Sequence, residues 1–193
     1  MMIRTDYDTL ANENYRLHAA LAAENAEIQR FHSDLEVARG VQERIFPTAR
    51  PRIPGLEYFG DWRPARGVSG DYIDYFEMND GNLGFAIGDV CGKGLPAALL
   101  TSSLHSMIRA LRYSRHSSLK ELVRTIDELF GEICPDNCYA SLFLSEYDPG
   151  SGRLRYVNAG HEPPFILRQN GEHPQPIFLE SGGPVIWMLR EAS

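Results

Sequence analysis

Apolar positions recur at heptad spacing through the first forty residues of the chain. Two positions in every seven form one stripe, whose members are Leu10, Leu17, Leu21, Ile28, Phe31, Leu35 and Ala38. Asn14 and Glu24 are its polar exceptions, and neither Gly nor Pro occurs before Gly40. This pattern predicts a helix over residues 1–40 that pairs as a parallel two-stranded coiled coil. An amphipathic helix packed on its own domain would show the same stripe.

The pattern changes after Gly40, where the helical spacing ends and prolines become frequent. Val41 and Ile45 continue the helix briefly, and three prolines follow before Gly55. Because proline removes a backbone donor and breaks helices, residues 41–55 are predicted to be a helix end and a Pro-rich linker.

The remaining residues, 56–193, predict a mixed domain. Short apolar or alternating runs indicate strands at 56–62, 72–78, 83–90, 139–147, 154–159 and 164–167. Two helices are predicted over 95–113, with Pro96 in the first turn, and over 119–133, capped by Ser117 or Ser118. A hairpin turn is predicted over residues 79–82. Strands, two helices and further strands are typical of an α+β sandwich.

Two acidic residues, Asp71 and Asp89, lie at the ends of predicted strands. Asp71 opens one strand after a turn, and Asp89 stands near the close of the next. A hairpin would bring both carboxylates to one edge, where hard oxygen ligands suit Mg²⁺ or Mn²⁺. Asp beside Gly is also common in turns, so two turn aspartates are the alternative interpretation.

Four motifs, two of which contain these acids, follow one another along the chain. They are Ala38-x-x-Val41-Gln42-x-x-Ile45-x-Pro47, Ser69-Gly70-Asp71-Tyr72-x-Asp74, Gly88-Asp89-Val90-x-Gly92-Lys93-Gly94-x-Pro96-Ala97-Ala98, and Asn158-Ala159-Gly160-His161-x-Pro163-Pro164. Together they resemble the SpoIIE-type branch of the metal-dependent protein serine/threonine phosphatase (PPM) family over about residues 38–186.

The resemblance implies a PPM-type α/β sandwich of mostly antiparallel sheets flanked by helices, with two divalent ions, Mn²⁺ or Mg²⁺. It makes Asp71 and Asp89 catalytic metal ligands and the carbonyl of Val90 a third oxygen ligand. Asp74 is then a residue that supports the ligands. The implied substrates are phosphoserine or phosphothreonine in an anti-sigma-factor antagonist of bacterial stress signalling.

The chain also departs from the family pattern. Ser69 replaces a usual glycine, Cys91 replaces a usual serine, and Trp187 occupies a position that is usually small. Family members carry a later Thr-Asp-Gly motif and a further acidic ligand, and neither occurs up to Ser193. Residues 56–193 are therefore expected to be a C-terminally incomplete phosphatase domain. A catalytically incomplete, partner-binding regulator is the alternative function.

Composition narrows the remaining function classes. The formal net charge of −7 argues against nucleic acid as a partner, because phosphate backbones are bound by basic surfaces. No apolar run approaches the ~18 residues of a membrane span, so a cytoplasmic protein without membrane contact is expected. The heptad pattern of the N-terminal helix predicts that this protein is a dimer. The odd set Cys91, Cys134 and Cys138 favours reduced thiols over disulfides, and no second cysteine pair completes a zinc site.

Four other local features bear on nucleotide binding, nucleophilic catalysis and anion contact. Gly92-Lys93 does not complete a nucleotide phosphate loop, because Gly88 stands one position too late and Gly94 replaces the required Ser or Thr. Residues 67–71 are similar to the Gly-x-Ser-x-Gly motif of a nucleophile elbow, but Asp71 stands where that motif has its last glycine. This difference argues against a serine hydrolase. Lys93 precedes a predicted helix N-terminus and either contacts an anion or is simply solvated. For His161, a structural role in its turn is favoured over catalysis.

Overall fold

The structure is a computed structural model that describes residues 2–47, 50–63, 67–78, 81–113, 118–167 and 175–188, without the side chains of residues 2–6 and 8. The chain divides into two compact units, Met1–Val41 and Gln42–Ser193. Among the described residues, no helix combines the length and the apolar character that crossing a bilayer requires.

The first unit consists of one long helix, α1, which spans Met2–Gln42 and so ends on the first residue of the second unit. The predicted N-terminal helix is thus confirmed, and it continues two residues past Gly40 because a single glycine only weakens a helix. Its large apolar side chains are exposed within the single chain, including Leu17 at 66% and Ile28 at 45%. Pairing of this helix as a coiled coil stays a prediction.

The second unit is built around a four-stranded antiparallel sheet of order β1-β2-β3-β4. Its strands are β1 (Asp71–Glu77), β2 (Leu83–Val90), β3 (Ala140–Asp148) and β4 (Arg153–Ala159). Each lies within one residue of its predicted position. The predicted turn between β1 and β2 includes residues 79–80, which lie outside the described residues.

A separate two-stranded sheet pairs β5 (Phe165–Leu167) with β6 (Pro176–Phe178). The sequence predicts β5 but not β6, because three residues beginning with proline are too short for a recognisable alternation.

Two helices cover one face of the large sheet. Helix α2 spans Leu95–Leu111 and α3 spans Leu119–Ile133. Ser118 caps α3 by accepting the Glu121 N–H at 3.3 Å, while the other candidate cap, Ser117, lies outside the described residues. Fully buried side chains from helices and strands meet in one core: Tyr72, Phe76, Leu104, Ile108, Ile126, Phe130, Leu142 and Leu144. Truncating one of these aliphatic residues to Ala costs about 2–5 kcal/mol.

The predicted strand over residues 56–62 is wrong, since none of these residues belongs to a strand. The segment instead lies over the sheet face opposite the helices. Tyr58 packs edge-on against Tyr75 and Phe85 at ring-centroid distances of 5.0 and 5.5 Å. Side-chain burial alternates along the segment. The alternating sequence pattern thus correctly indicates an extended chain. The alternating burial arises from side-chain packing on the sheet, not from backbone hydrogen bonds to a neighbouring strand.

The segment before residue 188 joins the edge of the large sheet. Ile186 exchanges two backbone hydrogen bonds with Ala140, at 3.2 and 2.8 Å. Trp187 then donates its backbone N–H to Asp127 at 2.6 Å, and its ring fills the space beside Gly131, where a Cβ would meet the ring at 1.8 Å. Trp187 is thus accommodated by a glycine on α3. Residues 189–193 lie outside the described residues.

Candidate metal centre

The register of the β1–β2 hairpin places Asp71 directly opposite Asp89. The apolar pattern of both strands fixes this register, because a shift by one residue would turn Tyr72 and Val90 out of the core. Burial raises the pKa of Asp89, and the nearby Asp71 carboxylate raises it further. The two carboxylates therefore lie close enough to repel each other at one edge of the sheet.

The carbonyl of Val90 faces the same space. A Cβ placed on Gly70 would lie 2.7 Å from the Val90 oxygen and 3.6 Å from Asp89 Oδ1. Glycine is therefore required at position 70 to leave room between these two oxygens. The Gly70 carbonyl is itself fixed, since it accepts hydrogen bonds from the Val90 N–H at 3.1 Å and from Thr101 Oγ1 at 2.7 Å.

Gln42, the first residue of the second unit, positions the first acid through its buried side chain. Gln42 donates Nε2 to the Ser69 carbonyl at 2.7 Å and accepts the Ser69 N–H on Oε1 at 2.9 Å. Ser69 in turn donates Oγ to Asp71 Oδ2 at 2.8 Å and accepts the Asp71 N–H at 3.1 Å. Ser69, which replaces a glycine of the family pattern, thus orients one carboxylate oxygen and leaves the other for a ligand.

A histidine from the turn after β4 completes the edge of the site. Ser141 on β3 lies opposite Asp89, and its hydroxyl is hydrogen-bonded to His161 Nδ1 at 2.8 Å. Burial lowers the pKa of His161, whereas the charge of Asp89 raises it. The buried Asn158 holds the turn by accepting the His161 N–H at 2.8 Å. Asp71, Asp89 and Ser141 therefore form a row across three strands with His161 beside it.

Asp74 lies apart from this row, on the helix-facing side of β1. Its side chain is 0% exposed and is paired with Arg109, which donates Nε to Oδ2 at 2.6 Å. It also accepts the Tyr72 hydroxyl at 3.0 Å and the Tyr75 N–H at 2.8 Å. The hydrogen bonds described for Asp74 go to these groups and not to Asp71 or Asp89. Asp74 is therefore an anchor between β1 and α2.

The donor set fits a hard divalent cation. Two carboxylates and a backbone carbonyl supply oxygen atoms, which are the ligands that Mg²⁺ and Mn²⁺ prefer. Within the described ranges, no three His, Cys, Asp or Glu side chains converge as a ligand cluster. Asp71, Asp89 and Val90 are therefore the described residues that would hold an ion.

The carboxylates open into a cleft of about 240 Å³. Its walls include Trp62 and Arg63 from the extended segment, Ile87 from β2, and His161. Lys93 is exposed in the glycine turn before α2 and does not line this cleft. Neither the Ser141–His161 pair nor the Gln42–Ser69 clamp was recognised from the sequence. Strand Ala140–Asp148 carries two serines, Ser141 and Ser145, and local sequence does not distinguish the one that meets His161.

Sequence comparison identifies the class to which this fold and site belong. The family model described as "Stage II sporulation protein E (SpoIIE)" matches residues 79–193. The chain is 30% identical over 182 residues to protein IcfG of a Synechocystis species, with 81% of this chain and 28% of the relative covered. It is 29% identical over 156 residues to phosphoserine phosphatase RsbU of Bacillus subtilis, with 80% and 45% covered.

Two solved structures share the fold. One contains the RsbU and RsbW domains of Rv1364c from Mycobacterium tuberculosis, with a TM-score of 0.55 and 24% identity over 63% of this chain and 34% of that one. The other contains the PP2C phosphatase domain and a regulatory fragment of SpoIIE from Bacillus subtilis, with a TM-score of 0.52 and 24% identity over 65% and 35%.

The chain belongs to the SpoIIE family, and its second unit has the PP2C-type fold. It spans less than half the length of the curated relatives that it matches.

Proposed function

We propose that this chain is a divalent-metal-dependent phosphoserine/phosphothreonine protein phosphatase. The observation that carries the proposal is the juxtaposition of Asp71, Asp89 and the Val90 carbonyl at one sheet edge. Family membership supports it, as do two relatives from Bacillus subtilis whose names describe phosphoserine phosphatases.

Each residue of the centre has a distinct role in this proposal. Asp71 and Asp89 bind Mn²⁺ or Mg²⁺ through carboxylate oxygens, and Val90 adds its carbonyl. The bound metal supplies Lewis-acid activation of water and neutralisation of phosphoryl charge. Ser69 and Gln42 keep the Asp71 carboxylate in place, so the ligand geometry exists before the ion binds. His161 contacts Ser141 at the same edge and faces the cleft in which a phosphoryl group would lie.

The proposed substrate is a phosphorylated anti-sigma-factor antagonist in bacterial signalling, encountered in the cytoplasm. This substrate class comes from the family resemblance. The net charge of −7 is consistent with a protein substrate and disfavours nucleic acid.

The proposal includes a homodimer that pairs through α1. Its support is the row of exposed apolar side chains along a helix of 41 residues. Such a stripe is stabilised when a second helix covers it.

A partner-binding regulator without turnover is the second candidate function. The observation that favours it is the small ligand set, because only two carboxylates meet at the centre in the described part of the chain.

Release of phosphate from a phosphorylated antagonist domain at saturating Mn²⁺ tests both candidates. We expect release by the wild type that chelation stops and that Asp89→Asn lowers at least about a hundredfold, or ~2.7 kcal/mol. Asp34→Asn removes an exposed carboxylate of α1 and serves as the charge-matched control. Binding of the phosphorylated domain without any release would support the regulator instead.

A further inference from the structure

Two cysteine thiols, those of Cys91 and Cys138, meet directly beyond the end of β2, and Cys134 lies near them. Cys91 follows Val90, Cys138 lies two residues before Ala140 at the start of β3, and Cys134 is the C-terminal cap of α3. The pairing of β2 with β3 continues past the strands, because the Cys91 N–H donates to the Tyr139 carbonyl at 2.9 Å and the Tyr139 N–H donates to Cys91 Sγ at 3.2 Å. This pairing fixes Cys91 against the residue next to Cys138.

The sulfur atoms of Cys91 and Cys138 are 2.7 Å apart, although the residues are 47 positions apart in the sequence. A covalent S–S bond is about 2.05 Å long, so closing it requires a movement of roughly 0.7 Å. Both side chains are only partly buried, whereas Cys134 is buried. The backbone pairing and the sulfur contact thus hold this one pair ready for oxidation.

We propose that Cys91 and Cys138 form an oxidative modification site, which closes as a reversible disulfide when the protein meets a hydroperoxide. In the first step the Cys91 sulfur attacks the peroxide O–O bond, forming a sulfenic acid and releasing one molecule of water or alcohol. In the second step the Cys138 sulfur displaces the sulfenic oxygen, which leaves as water with the proton of Cys138. Two thiols are oxidised by two electrons, and one peroxide is reduced.

The environment of the thiols assigns their order of reaction. Burial and hydrogen bonds to Cys91 and Cys134 raise the pKa of Cys138 to about 12, so Cys138 is a poor nucleophile toward free peroxide. Cys138 is instead suited to the second step, in which its partner is already in contact. Burial also raises the pKa of Cys134, and its position inside the core cluster limits access of an oxidant.

Closing the bond would link two distant parts of the second unit. It ties the turn after β2 to the segment between α3 and β3, one residue beyond Val90. A cross-link over this sequence separation restricts the unfolded chain, so a bond that the native geometry accepts without strain raises the unfolding temperature. We expect a rise of about 5 °C or more for a domain of this size.

The test treats the full chain with hydrogen peroxide and then alkylates the remaining thiols. We expect intact-mass analysis to show loss of two hydrogen atoms with one of the three thiols alkylated, and peptide mapping to join Cys91 to Cys138. A thiol reductant should restore three alkylated thiols and lower the unfolding temperature to that of the untreated protein.

Three single substitutions separate the assigned pair from its neighbour. Cys91→Ser and Cys138→Ser should each abolish the cross-link. The matched control Cys134→Ser should still form it, and its oxidised form should unfold at a higher temperature than its own reduced form. A wild-type disulfide that joins Cys134 to Cys138 would overturn the proposal. So would a Cys91–Cys138 product whose unfolding temperature does not exceed that of the reduced protein.

Discussion

Asp71 and Asp89 face each other across the last pair of the β1–β2 ladder, so one hairpin creates the acidic edge of the site. Burial is the larger cause of the raised pKa of Asp89, and the nearby charge of Asp71 raises this pKa further. A cation between the carboxylates would relieve their repulsion, so metal binding is expected at this strand end.

Removing either carboxylate should sharply weaken metal binding without unfolding the domain. Asp71→Asn and Asp89→Asn each delete one anionic oxygen at an exposed strand end, where an isosteric amide is tolerated. Calorimetric titration with Mn²⁺ measures the effect, and circular dichroism checks the fold. Asp34→Asn, on the exposed surface of α1, should bind like the wild type. Unchanged affinity in both site variants would remove the metal assignment.

Without metal, Asp89→Asn should stabilise the domain at neutral pH. The pKa of Asp89 is raised on folding, so the folded state binds its proton more tightly than the unfolded state. Above the folded-state pKa, the ionised Asp89 carboxylate therefore lowers the free energy of unfolding. This loss disappears as the pH falls to the pKa of Asp in the unfolded chain, about 3.9. Thermal unfolding in a chelator should show a higher midpoint for the variant at pH 7, and the difference should vanish near pH 4.

Asp148→Asn provides a control of opposite sign. Hydrogen bonds from Ser151 and Gly150 lower the pKa of Asp148, so its ionised form stabilises the turn before β4. Asp148→Asn should therefore lower the unfolding midpoint at neutral pH. The difference from the wild type should shrink as the pH falls and the wild-type carboxyl becomes protonated. Equal shifts of the same sign in the Asp89 and Asp148 variants would contradict both assignments.

Much of the large sheet follows from local sequence. Alternating or apolar runs at 72–78 and 83–90 predict the β1–β2 hairpin, and the hairpin alone brings Asp71 to Asp89. The error at residues 56–62 has a physical cause, since period-two burial does not distinguish a strand from an extended segment that packs through its side chains.

The groups that hold the acids in place could not be predicted in the same way. Gln42 reaches Ser69 across 27 positions, and Ser141 reaches His161 across 20. Such contacts depend on tertiary packing and leave no periodicity in the sequence. The motif containing Gln42 was recognised by resemblance, but its role as a clamp on the Asp71 segment became visible only in the structure.

Truncating Arg109 should destabilise the domain much more than truncating a surface arginine. Arg109→Ala leaves the fully buried Asp74 without its cation, at an expected cost of about 3 kcal/mol. Arg124 pairs with Glu128 on the exposed face of α3, and Arg124→Ala should cost only about 0.3–0.5 kcal/mol. Urea unfolding of the two variants compares them. Similar small losses would show that Asp74 is satisfied by Tyr72 and Tyr75 alone.

The N-terminal helix should make the chain a dimer at micromolar concentration. Ile28→Pro should break α1, because proline within a helix costs ~3 kcal/mol or more. Ile28→Asp tests the stripe without breaking the helix, and Gln29→Asp places the same charge on the adjacent exposed position. Light scattering should give monomers for both Ile28 variants and a dimer for Gln29→Asp. A monomeric wild type would remove the coiled-coil prediction.

The polypeptide of residues 1–193 should hold at best one divalent ion weakly and turn over slowly. The described residues bring Asp71, Asp89 and one carbonyl together, and no third acidic, His or Cys ligand joins them in those ranges. The resemblance implies a later Thr-Asp-Gly motif and a further acidic ligand, and the 193 residues contain no Thr-Asp-Gly. Two carboxylates give too few anionic oxygens for two tightly held ions.

Water activation and phosphoryl charge neutralisation are shared between the two ions of a complete centre. We therefore expect turnover roughly a thousandfold below that of a relative with the full ligand set, or about 4 kcal/mol of transition-state stabilisation. Steady-state dephosphorylation at saturating Mn²⁺, with ion stoichiometry from calorimetry, measures both quantities. The matched comparison is the same chain extended by a relative's Thr-Asp-Gly segment, which should bind a second ion and regain activity. Full turnover by residues 1–193, abolished by Asp89→Asn, would instead mean that the remaining ligands come from elsewhere in this chain.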